Sequence, residues 1–462
     1  MFNLILNNPI NYVTYLEYIK NYFLFYFYFL FILLTKYFVT PSTYYDRIYH
    51  LIRLGGPIFI KIGQNLANKK DIDSNLKNKL IKLQNQNFYK STFDVKLLKI
   101  NYNIDELDEN PIASGSIASI FKGTFKKNKC IVKKVHKNIV KNTIISINLF
   151  EGLRNKIIGN GILSNFNQLV DIKQVYKEVL DQTDLNNETN NLNNIKNNFN
   201  NREFSDLIIF PEVYYNDKEV IIESFEEGYS IMEFTKKYPN RKKEASHLIH
   251  CVFYKMFFDN CIHADMHFSN VRFTIINDKV KIILYDFGLI TSITNLDHYK
   301  TFINVYKKNM FIPDKERFIE MLIQFNKNKD ANVENFRKEC DKLSDKITNP
   351  KVYIENPNIK YKNTTTDLIK EALDIALKNN FKICDYAFNI CNGFILLDDY
   401  NLYISDDKSL LKERFEYAKN HGFIEDMKKS AKKIFKKKPT VIEMNQIKNK
   451  EKQMLIHQKE RI

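Results

Sequence analysis

The chain has 462 residues, enough for one large two-lobed domain with extensions, and its 44% hydrophobic and 27% charged residues are an ordinary globular balance. A formal net charge of +16 favours an anionic partner such as phosphates or an acidic membrane surface. No basic-aromatic motif typical of nucleic-acid binding occurs, so we expect no nucleic-acid partner. The six cysteines never form C-x-x-C, which indicates free thiols in a reducing compartment.

Residues 1–40 are predicted to associate with a membrane. An uninterrupted apolar and aromatic run extends from Tyr22 to Leu34 and, allowing two polar residues, to Val39. The run is shorter than the roughly twenty residues that a spanning helix needs, so a shallow segment or a buried helix stays open. More Lys and Arg follow the run than precede it, which places the main domain on the cytoplasmic or matrix side of a membrane in an unspecified organelle.

Residues 41–100 are predicted to form a helical extension. The block from Gly55 to Gln64 reads GGPIFIKIGQ, and Leu80 and Leu83 continue a helical pattern of apolar residues. A plain amphipathic helix could also carry Lys61 and Gln64, so the block alone assigns no function.

A loop of small residues follows between two predicted strands. The stretch from Pro111 to Phe121 reads PIASGSIASIF. Small residues let backbone N–H groups approach a phosphate, so we expect this loop to bind nucleotide, although a simple β-turn would look the same. The residues assigned to that contact are Ala113, Ser114, Gly115 and Ser116.

The next predicted strand, from Cys130 to Val135, carries the neighbouring lysines Lys133 and Lys134. Because neighbours in a strand point to opposite faces, only one of them can reach a bound phosphate.

A helix rich in asparagine is predicted downstream. Between Asn186 and Asn201 most residues are Asn, a mediocre helix former, so a low-complexity loop is the alternative. An acidic residue and three apolar ones nevertheless share one helical face, which directs the acid toward the core. These residues are Glu188, Leu192, Ile195 and Phe199.

The segment from Val220 to Gly228, VIIESFEEG, is predicted to be a strand that enters a hinge. We expect adenine to bind the hinge backbone and assign Glu223 to the nucleotide contacts.

The most informative stretch is residues 263–288, which read HADMHFSN, an apolar run and then DFG. Asp265, Asn270 and Asp286 have the order in which protein kinases hold Mg²⁺-ATP. Mg²⁺ prefers oxygen ligands, so Asn270 and Asp286 are the predicted metal ligands, and Asp265 is left as the base or acceptor-positioning group. A metal cluster of His263, Asp265 and His267 is the alternative.

Residues 401–462 form a lysine-rich tail with a partial apolar stripe. A basic amphipathic helix can lie on an anionic membrane, while a solvated charged face is the simpler outcome.

Across residues 50–400 these motifs resemble, in order, those of the UbiB/ADCK atypical protein-kinase-like family, which is linked to coenzyme Q synthesis. The resemblance implies an α+β, two-lobed protein-kinase-like fold with an N-terminal helical KxGQ extension, an N-lobe over 101–225 and a C-lobe over 226–400. One departure is that the family's HADPHPGN reads HADMHFSN here. The looser loop is expected to affect turnover more than metal binding.

The resemblance also implies residue roles. Alignment with the family's V-A-V-K-V makes Lys134 the phosphate-binding lysine, with Lys133 on the opposite face. Glu188 is then its ion-pair partner, and Asn191 is a weaker candidate for a site role. Lys61 and Gln64 are expected to fold over the active site as regulatory groups that exclude protein substrates.

The implied ligands are ATP and Mg²⁺, and the implied activity is that of an ATPase or of a small-molecule or lipid-linked kinase supporting coenzyme Q or membrane lipid metabolism. The acceptor would be a lipid or isoprenoid small molecule. A Ser/Thr protein kinase and a non-catalytic scaffold at a membrane are the alternatives, and a homodimer stays open.

Overall fold

The computed structural model of the chain describes residues 12–67, 73–85, 93–157, 172–200, 202–306, 314–343, 364–400 and 410–436. The far end of the predicted basic tail, from residue 437 onward, lies outside the described residues.

Within the residues described, the N-terminal extension contains four helices and a short 3-10 turn. They are α1 (Tyr12–Thr35), the turn Lys36–Phe38, α2 (Pro41–Gly55), α3 (Pro57–Ala67) and α4 (Ser74–Asn85). The Thr40 hydroxyl accepts from the amide of Thr43 and so caps α2, whose first residue is a proline, as is typical of a helix start. Gly56, with φ +84°, takes the left-handed conformation that separates α2 from α3.

Helix α1 presents one face to the protein and one to solvent. Phe25 is fully buried in a cluster with Phe59 and Phe150, whereas Phe27 and Leu34 on the other side are 65% exposed. Among the described residues, one helical segment, Ile19–Phe38, is long and apolar enough to cross a membrane by length and composition. The apolar segment is therefore longer than the run from Tyr22 to Leu34 on which the prediction rested.

A six-stranded sheet forms the first lobe. Its elements are α5 (Val95–Tyr102), β1 (Glu106–Leu107), β2 (Ala113–Ser114), β3 (Ala118–Phe125), β4 (Asn128–Val135), α6 (Ile139–Ile157), α7 (Ile172–Asp181), α8 (Leu185–Phe199), β5 (Ile208–Ile209), β6 (Val213–Asn216) and β7 (Val220–Ser224). The strand order is β1-β3-β4-β7-β6, with β2 paired to β3, and β5 joins a different sheet.

Helix α8 buries the face that the spacing of its residues predicts. The Asp184 side chain caps it by accepting from the amide of Asn186. The predicted inward face is buried, from Glu188 through Leu192 to Phe199, while the asparagines between these residues lie on the other faces.

The second lobe is mainly helical around a buried helix, α10. Its elements are α9 (Ile231–Lys237), α10 (Lys242–Phe258), β8 (Ile262–His263), β9 (Val271–Ile276), β10 (Lys279–Leu284), β11 (Ile290–Thr291), α11 (Leu296–Val305), α12 (Lys315–Gln324), α13 (Val333–Asp341), α14 (Thr364–Lys378), α15 (Asp385–Asp399), α16 (Leu410–Asn420) and α17 (Phe423–Lys436). Strands β8 to β11 pair in two small sheets that present the 263–288 stretch to the cleft between the lobes.

The described part of the tail packs against the second lobe. In α17 the apolar residues Phe423, Ile424 and Met427 are buried in the core that contains α10, and Asp426 forms an ion pair with the buried Lys255 at 2.9 Å. Most of the apolar stripe is thus covered by protein and unavailable to a membrane, which favours the alternative of a solvated charged face. Lys428, Lys429, Lys432 and Lys433 of α17 face solvent.

Candidate active site

A histidine holds the loop between β8 and β9. The buried His263 ring faces the carbonyl of Tyr285 with Nε2 at 3.2 Å, and its Nδ1 accepts from the amide of Asp265 at 3.3 Å. A ring nitrogen next to a carbonyl must donate, so His263 is neutral with the proton on Nε2. Burial lowers the pKa of His263, in keeping with that neutral state. With both nitrogens occupied by backbone groups, His263 is not free to act as a metal ligand.

The three-residue metal cluster is therefore not supported. In the part of the chain that the structure describes, no group of three His, Cys, Asp or Glu side chains is placed to hold a metal ion. His267 lies 3.9 Å from Asp265, but His263 faces away toward the strand before Asp286.

Asn270 is oriented with its amide nitrogen toward the loop. Its Nδ2 donates to the Asp265 carbonyl at 2.9 Å, and the side chain is 6% exposed. This bond stabilises the turn, although the loop lacks the prolines and glycine of the family motif. It also leaves the Oδ1 oxygen for another partner, which suits an Mg²⁺ ligand.

Asp286 and Phe287 bring the second lobe to the cleft. Asp286 has φ +55°, an uncommon backbone conformation for a residue with a side chain, and its Oδ1 accepts from the amide of Gly288 at 3.2 Å. Phe287 is buried beside His263, and its carbonyl accepts from Asn191 Nδ2 at 2.9 Å. Asn191 therefore ties α8 to the 286–288 turn.

Lys133, and not Lys134, reaches the acidic groups of the cleft. Lys133 Nζ lies 2.7 and 2.9 Å from the two carboxylate oxygens of Glu188 and 3.1 Å from Oδ1 of Asp286. Lys134 points to the opposite face of the sheet and pairs with Glu219, itself 66% exposed, at 2.5 Å. The prediction that Lys134 pairs with Glu188 is wrong.

The physical reason for this error is that both faces of β4 are covered. On one side Val132 packs with Phe121 and Ile222, and on the other Val135 packs with Leu185 of α8. Alternation shows correctly that only one lysine faces the cleft, but with apolar layers on both sides it does not show which one.

The charges of this cluster are strongly coupled. Burial alone would lower the pKa of Lys133, but the carboxylates of Asp286 and Glu188 outweigh burial and raise it. Burial opposes ionisation of Asp286, yet Lys133 holds the pKa of that carboxyl well below its usual range. Burial raises the pKa of Glu188. Asp286 is therefore an anion at neutral pH, as a carboxyl group must be to bind a metal ion.

The N-terminal extension places a positive charge at Asp265. Lys61 Nζ of α3 lies 3.8 Å from Oδ2 of Asp265, and both side chains are partly buried. Burial would raise the pKa of Asp265, but Lys61 and His267 lower it. Gln64 behaves differently, because its Nε2 donates to the carbonyl of Leu83 in α4 at 2.9 Å. The expectation that both side chains turn toward the cleft thus holds for Lys61 only.

The small-residue loop is a tight hairpin between β2 and β3. The buried hydroxyls of Ser114 and Ser119 lie 2.9 Å apart, the amide of Gly115 donates to the Ala118 carbonyl, and His136 Nε2 donates to the carbonyl of Gly115 at 3.0 Å. A Cβ atom at Gly115 would meet only one atom, at 3.9 Å, so the outer side of the hairpin is open. Ala113, Gly115 and Ser116 are accessible, whereas Ser114 is buried.

The connection between the lobes begins directly after Glu223 and Ser224. The main chain of Glu223 lies inside the sheet, paired with Ile131 of β4 and Val213 of β6. Beyond it, the Tyr285 hydroxyl donates to the carbonyl of Glu226 at 2.6 Å and so joins the connection to the strand before Asp286. Sequence reasoning missed Tyr285, since only its position next to the DFG triplet marked it.

Comparisons with known proteins show which family this chain resembles. Residues 77–322 match the ABC1 atypical kinase-like domain family. A probable serine/threonine-protein kinase, abkC, from Dictyostelium discoideum is 27% identical over 242 residues, which are 48% of this chain and 33% of that protein. A probable protein kinase UbiB from Pseudomonas fluorescens is 28% identical over 262 residues, 52% of this chain and 48% of its own.

The chain thus spans about half or less of the length of these relatives. Among solved structures, a Mycobacterium tuberculosis protein in complex with erythromycin aligns with a TM-score of 0.36 and 13% identity, over 60% of this chain and 74% of that one.

Proposed function

Because the chain belongs to the ABC1 atypical kinase-like family, with its α+β kinase-like fold, we propose that it binds Mg²⁺-ATP in the cleft and transfers the terminal phosphoryl group. The observation that carries the proposal is the contact of Lys133 with both Glu188 and Asp286. Kinase-type phosphoryl transfer requires a lysine–glutamate ion pair such as Lys133–Glu188, with the aspartate of the DFG triplet placed to hold the metal ion. The contacts of Lys133 join β4, α8 and the 286–288 turn into one site.

In this proposal Lys133 binds the phosphates and Glu188 orients Lys133. Asn270 Oδ1 and the Asp286 carboxylate would hold Mg²⁺, which would offset the negative charge of the phosphate oxygens. The accessible backbone of the 113–116 hairpin covers the phosphates. The boundary between the lobes then falls close to residue 225, where β7 ends.

Asp265 is proposed to orient the acceptor. The acceptor oxygen forms a bond to the terminal phosphorus, the bond from that phosphorus to the bridging oxygen breaks, and ADP leaves with the electron pair. The acceptor proton passes to Asp265 or to water. Since Lys61 lowers the pKa of Asp265, this carboxylate is a weak base, and its main contribution is positioning.

The acceptor is proposed to be water or a small molecule. Helix α3 brings Lys61 to the carboxylate that would face the acceptor, which leaves little room for a peptide chain there. On this ground we favour an ATPase or a small-molecule kinase over a Ser/Thr protein kinase, while the relatives carry the names of probable protein kinases. A role in coenzyme Q or membrane lipid metabolism, with a lipid or isoprenoid acceptor, is the finer form of the proposal.

Membrane association is proposed through α1, with the exposed lysines of α17 attracted to anionic lipid. The exposed apolar side of α1 supports this. The kinase-like domain would lie on the cytoplasmic or matrix side.

Replacing the proposed metal ligand tests the nucleotide site. Asp286→Asn removes an anionic ligand, so we expect it to weaken Mg²⁺-ATP binding by at least about tenfold and to abolish phosphate release. The measurement is the thermal stabilisation of each protein by ATP, with Mg²⁺ and with EDTA, alongside a phosphate-release assay. Equal Mg²⁺-dependent stabilisation of both proteins would refute the metal assignment.

A further inference from the structure

Glu223 is the last cleft-facing residue of β7 before the chain crosses between the lobes. Residues paired directly across antiparallel strands share a face, and the register pairs Glu223 with Ile131 and Ile221 with Lys133. Because Lys133 points into the cleft, all four side chains lie on the cleft side of the sheet. A nucleotide whose phosphates meet Lys133 would place its base toward the hinge end of this face, where Glu223 stands.

The Glu223 carboxyl lies among groups of its own charge. The ionisable groups that act on it are Glu188 of α8, Lys133 of β4, Asp286 beyond β10 and Glu226 in the connection, and it acts in turn on Tyr285. Lys133 is the one cation in that set and already contacts Glu188 and Asp286. Within the described part of the chain, no hydrogen bond or ion pair of the Glu223 carboxyl is recorded.

A proton is the simplest way to neutralise this carboxyl. Burial, followed by the repulsion of Glu188, raises the pKa of Glu223 to about 8, so the group is mainly neutral at pH 7. A neutral carboxylic acid has one O–H donor and one carbonyl acceptor side by side. An ionised carboxylate has acceptors only.

The two purines present different edges to such a group. Adenine offers an N6 amino donor beside the N7 acceptor, whereas guanine offers two acceptors, O6 and N7. A carboxylic acid can therefore pair with both adenine atoms at once but with only one guanine atom. The side-chain amide of glutamine has the same donor and acceptor pattern and pairs with adenine in this way in protein–DNA complexes.

We propose that Glu223 selects adenine over guanine nucleotides by pairing its carboxylic acid with the N6 and N7 atoms of the base. The inference rests on the proposed function, since it needs the phosphates at Lys133, and it assigns the specificity of that site to one side chain.

The test compares the affinities of the full chain for ATP, GTP and 7-deaza-ATP, each with Mg²⁺ at pH 7. The proteins are wild type, Glu223→Gln, which keeps a donor and an acceptor, and Glu223→Met, which removes both. Glu219→Gln is the matched control, since that glutamate contacts Lys134 on the opposite face. Melting temperatures without nucleotide show whether each variant folds.

We expect wild type to bind ATP at least about tenfold more tightly than GTP or 7-deaza-ATP, which lacks the N7 acceptor. Glu223→Gln should keep both preferences, Glu223→Met should lose both, and Glu219→Gln should match wild type. The comparison of nucleotides on the wild-type protein needs no substitution, so it tests the proposal even if a variant does not fold.

Three results would overturn the inference. If wild type binds ATP but does not distinguish it from 7-deaza-ATP, or if Glu223→Met keeps the preference for ATP, the base pairing is wrong and the proposed function stands. If wild type binds none of the nucleotides, the proposed function fails and the inference fails with it.

Discussion

At the residue scale, the cleft concentrates three acids around one lysine. Glu188 and Asp286 contact Lys133 directly, and Glu223 lies close enough for all three to alter its ionisation. One ammonium cannot neutralise three carboxylates, and the pKa of Glu223, which has no hydrogen bond or ion pair within the described residues, is raised to about 8 by burial and by Glu188. The identity of each acid was readable from the sequence, but their competition for one cation was not.

The raised pKa of Glu223 predicts a pH dependence of stability that needs no nucleotide. A carboxyl group with a folded-state pKa of about 8 and a normal unfolded-state pKa near 4 stabilises the fold as an acid below about pH 4. That stability is lost as the pH rises toward 8, at no more than about 1.4 kcal/mol per pH unit. Glu223→Gln cannot ionise, so its free energy of unfolding should increasingly exceed that of wild type between pH 5 and pH 8.

Urea unfolding of the two proteins at several pH values measures this difference. Comparing the pair cancels the other titrating groups, because these are shared. A constant difference across the range would show that Glu223 has an ordinary pKa.

At the element scale, helix α1 carries a testable surface. Phe23, Phe27, Leu30 and Leu34 form one exposed stripe at helical spacing, opposite the buried Phe25. Changing these four residues to Gln should lower binding to anionic vesicles at least severalfold with little change in melting temperature. Phe25→Ala should instead lower the melting temperature and leave vesicle binding nearly unchanged, since it leaves a cavity beside Phe59. Flotation with vesicles and melting measurements on both variants test this expectation. Unchanged vesicle binding after the four changes would contradict membrane association through α1.

Helix α17 is predicted to stabilise the second lobe. Met427 is fully buried, so Met427→Ala should cost about 2–5 kcal/mol and lower the melting temperature clearly. Changing the exposed lysines Lys428, Lys429, Lys432 and Lys433 to Gln should leave stability nearly unchanged and weaken only the binding to anionic vesicles. If Met427→Ala melts like wild type, α17 does not pack as described.

Helices α17 and α8 and strand β4 show how much of the structure sequence patterns can predict. In α17 the apolar stripe was visible, but a stripe that faces a membrane and one that faces protein have the same periodicity. The inward face of α8 was predicted correctly, because it has one acid and three apolar residues at helical spacing among asparagines. In β4 the alternation of side chains between the two faces was clear. Which of the two lysines faces the cleft was not, because both faces of the strand are buried.

At the scale of the whole molecule, the site is assembled from distant parts of the chain. Lys61 from the extension, Lys133 from the sheet lobe and Asp265 and Asp286 from the helical lobe meet in one cleft. The order of motifs predicted this convergence and the two-lobed fold. What the order could not supply was side-chain orientation, so Gln64 was expected in the cleft and instead contacts Leu83 within the extension.

The central claim is that the cleft binds Mg²⁺-ATP through Lys133, and the neighbouring lysines provide the most direct test. Calorimetric titration with ATP and Mg²⁺ would compare Lys133→Ala with Lys134→Ala, which remove the same charge one residue apart. We expect Lys133→Ala to weaken binding by about tenfold or more, because it removes the phosphate contact, and Lys134→Ala to bind like wild type. Equal losses in the two variants, or a larger loss for Lys134→Ala, would contradict the account.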